Sequence, residues 1–256
     1  ILTAYIRENS KARLPESHEQ QYEFEDDELV PKSIGTDIEA ILSVIKNRAR
    51  KAASEPLNFQ GSYLCFGQLN FAKLESTDFS NADLRHANFL QCSLEGTNFR
   101  GSYFNTTNFH NSALCRANMQ YIHGRDLDFR GAFMPAVKLN CSKIRHSSFY
   151  EANLCEAVFD ETRLIDCRFI EANLAGARFI DADIRSSNFE GAKFSNTMLL
   201  GVKFTKVIGL TKEQIENAII DGSTTLPDEF MEVTEWYQEQ IKRSDKWLNE
   251  NYGDNE

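Results

Sequence analysis

Histidine, cysteine and carboxylate side chains are the first candidates for chemistry, and their spacing in this chain supports none. The chain has five histidines and six cysteines, but it contains no CxxC motif and no HExxH zinc motif. It also lacks the glycine-rich loop that binds phosphate and the GxSxG turn of serine hydrolases. No two carboxylates lie in an apolar setting that would shift a pKa. The sequence therefore predicts no enzyme activity and no metal or cofactor site.

A second set of side chains has the chemistry to bind anions. Four arginines are separated by multiples of twenty residues, namely Arg85, Arg125, Arg145 and Arg185. They can form a ladder if the chain returns to the same wall every twenty residues. Such a ladder would suit an acidic partner or lipid head groups. Interleaved acids leave a solvated wall as the alternative, and these are Asp83, Asp126, Asp166 and Asp183.

The element that would position these side chains is a strict repeat of five residues. Counting in fives from Phe59 to Phe204 gives 30 positions, of which 29 carry Leu, Phe, Ile or Met. Two residues before each of these positions the side chain is usually small, as in Ala72 and Thr77. A helix has a period of 3.6 and a strand a period of 2, so neither explains the pattern. A fixed short period predicts a solenoid.

Pentads such as AKLES, TDFSN, ADLRH, ANFLQ and ANLAG carry a resemblance to the pentapeptide-repeat family over residues 57–204. The resemblance implies an all-β solenoid, a right-handed quadrilateral β-helix with one pentad per side and twenty residues per coil. The large central residue and the small residue two before it would then point inward, and the other three would face water. Seven and a half coils, stacked at strand spacing, would give a rod about 36 Å long.

One coil departs from the pattern at Gly124, which takes the place of a large core residue. Ile122 and Leu127 occupy positions that are small elsewhere. We expect one of them to fill the space that Gly124 leaves, and we expect regular geometry to fail near 123–127. A degenerate repeat repacked with flexible Met119 and Met134 is the alternative to a kink that a partner recognises.

Sequence on both sides of the repeat predicts helical caps. We divide the chain into an N-terminal flank with a capping helix (1–56), the repeat (57–204) and a C-terminal helical tail (205–256). Capping boxes are expected at Thr36 and Thr211, and a tail helix is expected over 228–249. The polar run before residue 28 is expected to be a loop. Caps are needed because open solenoid ends invite edge pairing.

The segments LTAYIRE and DIEAILSVIKNRAR are similar to those of bacterial pentapeptide-repeat proteins with transmembrane helices upstream. This second resemblance implies that membrane association, if any, comes through a preceding anchor, because the chain begins at Ile1. Six cysteines without a disulfide spacing indicate a reducing compartment, and we predict a cytoplasmic protein, tethered to the inner membrane where such an anchor precedes it.

The pattern of outward side chains favours an interaction module that binds a protein partner of unknown identity. An apolar exterior occurs on one wall, at Ala113, Cys115, Phe133, Pro135, Ala136, Cys155 and Ala175. Trp236 and Trp247 in the tail suggest either a lid or a homodimer contact. The candidate partner-binding residues are therefore Phe133, Trp236 and Trp247 together with Arg85, Arg125, Arg145 and Arg185.

Net charge separates this hypothesis from two others. The chain carries −10 in total, but residues 57–204 are neutral and the two flanks carry −3 and −7. The alternative function is a DNA mimic that modulates a topoisomerase, as gyrase-protecting members of the family do, and it requires an acidic rod. Direct nucleic-acid binding is disfavoured because few outward aromatics are available to stack bases.

Overall fold

The computed structural model describes residues 1–11, 34–47, 56–231 and 234–252. From 58 to 208 the chain is a β-solenoid in which successive coils pair in parallel through residues twenty positions apart, as in Asn58 with Asp78. Short strands on one wall form a six-stranded parallel sheet. The fold predicted from the period of five is confirmed.

The strands of that sheet are three residues long, because a turn follows each pentad. They are β1 (Tyr103–Asn105), β2 (His123–Arg125), β3 (Lys143–Arg145), β4 (Arg163–Ile165), β5 (Asp183–Arg185) and β7 (Lys203–Thr205). We call this surface the strand wall. A second sheet pairs β6 (Met198–Leu199) with β8 (Ile219–Ile220).

The lumen is filled by columns of large side chains. Phe79 stacks on Phe99 with ring centroids 5.2 Å apart, and Phe89 stacks on Phe109 at 5.1 Å. Rings of the two columns meet edge to face, as between Phe79 and Phe89 at 5.7 Å. All four are fully buried. Stacked and edge-to-face rings are both favourable arrangements, so the two phenylalanine columns pack into one core.

Buried hydroxyl groups link successive coils at the small inward positions. The hydroxyl of Thr97 donates to the carbonyl oxygen of Leu74 at 2.9 Å, and that of Ser102 donates to Phe79 at 2.7 Å. Each acceptor lies 23 residues earlier, one coil below. A buried hydroxyl costs stability unless it is hydrogen-bonded, and this partner explains why Ser and Thr alternate with Ala at these positions.

The N-terminal end is covered by two helices and a short strand contact. α1 (Leu2–Asn9) precedes a bridge in which Lys11 pairs antiparallel with Ser62 of the first coil. α2 (Thr36–Lys46) buries Ile38, Leu42 and Ile45, and its Lys46 donates to the Asn70 side chain at 2.9 Å. The predicted capping box at Thr36 is wrong, since the N-cap is Gly35 and no side chain caps the helix. The loop predicted before residue 28 falls largely on 12–33, outside the described residues.

The C-terminal end is closed by three helices: α3 (Lys212–Glu216), α4 (Asp228–Met231) and α5 (Thr234–Tyr252). The capping box at Thr211 is confirmed, with the Gln214 backbone donating to its hydroxyl. The Gln214 side chain also donates to the carbonyl oxygens of Phe189 and Ala192. These hydrogen bonds supply donors to two carbonyl groups of the last regular coil. Helix covers 228–231 and 234–252, in agreement with the helix predicted over 228–249, and residues 232–233 lie outside the described residues.

α5 also packs against the residues that follow the last coil. Its Tyr237 hydroxyl donates to the carbonyl oxygen of Thr224 at 2.5 Å, and its Ser244 hydroxyl accepts from the Ile220 backbone at 3.0 Å. Within the described residues, no helix combines the length and apolar character needed to cross a membrane. The three-part division of the chain stays a prediction.

The coil at Gly124 is regular, so the predicted failure of its geometry is wrong. Gly124 pairs in register with Phe104 on one side and Ile144 on the other. The other half of the expectation is right, because Ile122 and Leu127 are both buried. A Cβ atom added to Gly124 would lie 2.6 Å from Cδ1 of Leu127. Leu127 therefore occupies the space of the missing side chain without bending the wall.

Candidate functional site

Side chains able to bind a partner lie on the outer walls of the solenoid. Parallel register brings the predicted arginines into one column, in which Arg125 pairs with Arg145, Arg145 with Ile165, and Ile165 with Arg185. In the described parts of the chain, no group of three His, Cys, Asp or Glu side chains is placed to hold a metal ion. The outer walls are therefore described first as candidate binding surfaces.

Arg85, at the N-terminal end of this column, forms an ion pair within the solenoid. Its Nε and terminal nitrogen bind both carboxylate oxygens of Asp83, at 2.9 and 2.8 Å, and Asp83 is buried. The thiol of Cys65 donates to the same carboxylate at 2.9 Å. Cys65 occupies an outward position of its pentad, yet it is fully buried. Because Asp83 already neutralises it, Arg85 adds little to an anion-binding surface.

Further along the strand wall the arginines are more exposed. Arg185 binds Asp183 through two hydrogen bonds of 2.8 and 2.7 Å, and Arg163 approaches the same carboxylate at 3.4 Å. The hydrogen bond from Arg185 is the main reason that the pKa of Asp183 is lowered. Arg125 lies 3.3 Å from Asp126. One carboxylate shared by two guanidinium groups leaves this stretch with excess positive charge.

Lysines contribute to the same wall. Lys143 and Lys203 lie in the other outward column of the strands, both exposed, and Lys143 pairs in register with Arg163. Lys206 occupies the next corner of the wall and was not among the predicted residues. Its sequence signal was available, since it lies two residues after the core residue Phe204, at an outward position of the pentad.

The apolar wall is the second candidate surface. Phe133 is 50 % exposed and is flanked in neighbouring coils by Ala113 and Asn153. The adjacent column is uncharged and partly exposed, and it consists of Cys115, Pro135, Cys155 and Ala175. These residues form a flat surface from which the Phe133 ring projects. Whether a partner covers it stays a prediction.

The two tryptophans of the tail differ in environment. Trp236 donates from Nε1 to Glu216 at 3.0 Å and lies 6.3 Å from the Phe230 ring, within the C-terminal cap. Lys212 lies 5.0 Å from the Trp236 ring centroid. Trp247 instead contacts the exposed Tyr252 near the end of α5, with ring centroids 5.7 Å apart. Trp236 therefore packs within the C-terminal cap, and Trp247 is the better candidate for contact with another molecule.

All six cysteines are free thiols, and burial divides them into two groups. Cys65, Cys92 and Cys167 are buried, and burial is the main reason that the pKa of each rises to about 12. The partly exposed thiols are Cys115, Cys141 and Cys155. Since the thiolate is the reactive form, the buried group should react slowly.

We expect a brief treatment of the native protein with iodoacetamide to label the partly exposed thiols and spare the buried ones. Mass spectrometry of peptides would assign the sites, and protein denatured in urea should label at all six. Rapid labelling of Cys92 or Cys167 in the native state would contradict the closed lumen. Cys65 separately tests whether residues 1–11 shield the first coil. Its thiol should become reactive if that segment leaves the first coil.

Comparison with known proteins identifies the repeat. The pentapeptide-repeat profile matches in eight copies, whose overlapping segments cover 58–120 and 138–208, more than half of the chain. A comparison with curated protein sequences found no match.

Solved structures of similar fold cover most of the solenoid. A trypsin-treated form of QnrB1, a plasmid-mediated fluoroquinolone resistance protein, is 16 % identical and superposes with a TM-score of 0.55 over 69 % of this chain and 95 % of its own. HetL, involved in heterocyst differentiation regulation in the cyanobacterium Nostoc sp. strain PCC 7120, is 20 % identical. Its TM-score is 0.42, over 66 % of this chain and 87 % of its own. Identities this low support the fold alone, whereas the repeat profile, matched over more than half the length, shows that the chain belongs to the pentapeptide-repeat family.

Proposed function

We propose that the chain is a non-enzymatic interaction module, a rigid solenoid whose outer walls bind a protein partner. The observation that carries this proposal is the division of side chains between lumen and exterior. The lumen is filled with stacked phenylalanine and aliphatic residues, while the arginines, lysines and exposed Phe133 lie outside. A solenoid of this kind presents an extended surface on a stiff scaffold. Six free thiols agree with a reducing compartment such as the cytoplasm.

The alternative, mimicry of DNA to modulate a topoisomerase, finds less support. A mimic must present negative charge along the rod, as the phosphates of DNA do. Residues 57–204 are neutral, and the exposed part of the strand wall is positive. The similarity to QnrB1 concerns fold at 16 % identity. We therefore expect the protein to leave gyrase supercoiling unchanged at stoichiometric concentration, and inhibition there would favour mimicry.

Affinity capture with wall variants tests the proposed function. The intact chain would be used to capture partners from an extract of its source cells, in parallel with Phe133→Glu, Trp247→Ala and the pair Lys143→Glu with Lys203→Glu. We expect at least one of these to lose a protein that the unmodified chain retains. Trp247→Ala would also be sedimented, because loss of a dimer would assign the tail to self-association.

The matched control is the pair Lys138→Glu with Arg168→Glu. Both side chains are exposed and precede a core residue, as Lys143 and Lys203 do, but they lie on walls other than the strand wall and the wall of Phe133. The control makes the same change in net charge. If every wall variant captures the same proteins as the control, binding through the walls is wrong. Circular dichroism should show that all variants retain the solenoid.

A further inference from the structure

The strand wall carries a concentrated positive charge on a protein whose net charge is −10. From His123 to Lys206, its outward positions hold seven lysines and arginines against three aspartates, a net formal charge of +4. We define the basic strip as the two central columns of this stretch: Arg125, Lys143, Arg145, Arg163, Arg185 and Lys203. Parallel register holds these side chains in successive coils. Such a pattern calls for an anionic ligand.

The acids of the wall pair with three arginines of the strip and offset its charge only in part. Asp183 is held by Arg185 and approached by Arg163, and Asp126 lies beside Arg125. Asp166 lies 3.6 Å from Nδ1 of His146. Within the described part of the chain, neither Lys143 nor Lys203 forms an ion pair, and both are exposed.

The shape of the strip limits the kind of anion. It is one three-residue strand wide, so its two columns are separated by about two residues of strand rise, roughly 7 Å. Exposed acids border it on both sides, with Glu161 and Asp181 at one corner and Asp126 and Asp166 at the other. A nucleic-acid duplex or a membrane surface is wider than the strip and would be brought against these acids. A single extended polypeptide is narrow enough to contact the lysines and arginines of the strip and to avoid the acids.

Length and periodicity then specify the ligand. Four coil steps separate β2 from β7, about 19 Å at strand spacing, which an extended segment of about six residues spans. Side chains of an extended segment alternate in direction, so acids at every second residue would face the strip together. Resting on the proposed function, we propose that the basic strip binds an extended acidic segment of a partner protein, with about three carboxylates at alternate positions.

A labelled synthetic peptide tests this proposal directly. The probe is an octapeptide that alternates glutamate and threonine, and its control alternates glutamine and threonine. Fluorescence anisotropy with the full chain should show binding of the glutamate peptide alone. Raising the salt from about 50 to about 500 mM should weaken that binding at least tenfold, because exposed charges are screened.

Substitutions then assign the site. Lys143→Glu with Lys203→Glu should weaken binding of the peptide about tenfold or more at low salt, whereas Lys138→Glu with Arg168→Glu should change it less than about twofold. Neutralisation by Lys143→Gln with Lys203→Gln should give an intermediate loss and guards against a folding defect of the reversed pair. Absence of peptide binding, or equal loss in both pairs, would overturn the proposal.

Two further titrations test whether the ligand of the basic strip is a peptide. Duplex DNA and vesicles rich in phosphatidylserine would be titrated under the same conditions. Either one binding more tightly than the peptide, and losing affinity through the strip substitutions, would show that the occupant is not a peptide. Failure of the peptide arm combined with loss of a captured protein through Phe133→Glu would reject this inference and leave the proposed function standing.

Discussion

Phe149→Ala is expected to lower the free energy of unfolding by about 3–5 kcal/mol. The Phe149 ring is fully buried and stacks between Phe129 at 5.0 Å and Phe169 at 4.7 Å. It also meets Phe159 edge to face, with centroids 6.2 Å apart. Coils fixed by hydrogen bonds to both neighbours cannot move together to close the cavity. The loss should therefore lie near the upper end for a core truncation.

Urea unfolding followed by far-ultraviolet circular dichroism would measure this loss. Tyr150→Ala is the matched control, since Tyr150 is the next residue but lies outside with 39 % exposure. Its removal should cost less than about 1 kcal/mol. A loss below about 1 kcal/mol for Phe149→Ala would mean that the column relaxes into the space, against the rigid stacking described above.

The strict period of five made the solenoid predictable, because it assigns an inward or outward direction to every residue of 57–204. Burial of Phe59, Leu84 and Phe89 follows from that pattern. The C-terminal cap was also accessible to sequence reasoning, since the capping box at Thr211 depends on residues three apart in the chain. Local and periodic signals were therefore sufficient for the fold.

Contacts between distant segments were not predictable in the same way. Cys65 has an outward position in its pentad, yet it is buried. Close to it in the chain, Ser62 of the first coil pairs with Lys11. Such pairing joins residues 51 positions apart and leaves no periodic signal. The ladder of arginines was predicted correctly as a column, but the pairing of Arg85 with the buried Asp83 is a side-chain contact that the period does not specify.

In the coil at Gly124, a large residue at a small position compensates for a glycine at a large position. In a regular stretch a large core residue is followed three positions later by a small one, as in Leu114 and Ala117. Here the order is reversed, with Gly124 followed by Leu127. Both arrangements place about one large side chain in the same part of the lumen, so the wall keeps its register.

This exchange predicts that Gly124→Leu destabilises the protein by about 1–3 kcal/mol, because an added side chain would overpack the lumen. Even a Cβ atom there would lie 2.6 Å from Cδ1 of Leu127. Leu127→Ala alone should cost about 2–5 kcal/mol by opening a cavity. The double variant restores the order found at Leu114 and Ala117 and should be more stable than either single variant.

Urea unfolding of the four proteins completes a double-mutant cycle, in which residues that share one space show strong coupling. The control cycle combines Gly124→Leu with Leu164→Ala, a core truncation on the same wall two coils away, where the losses should add. Additive losses in the first cycle would show that Leu127 does not fill the position left by Gly124. A double variant more stable than both single ones would establish that the two residues exchange one side chain's volume, and that the irregular pentads encode a regular coil.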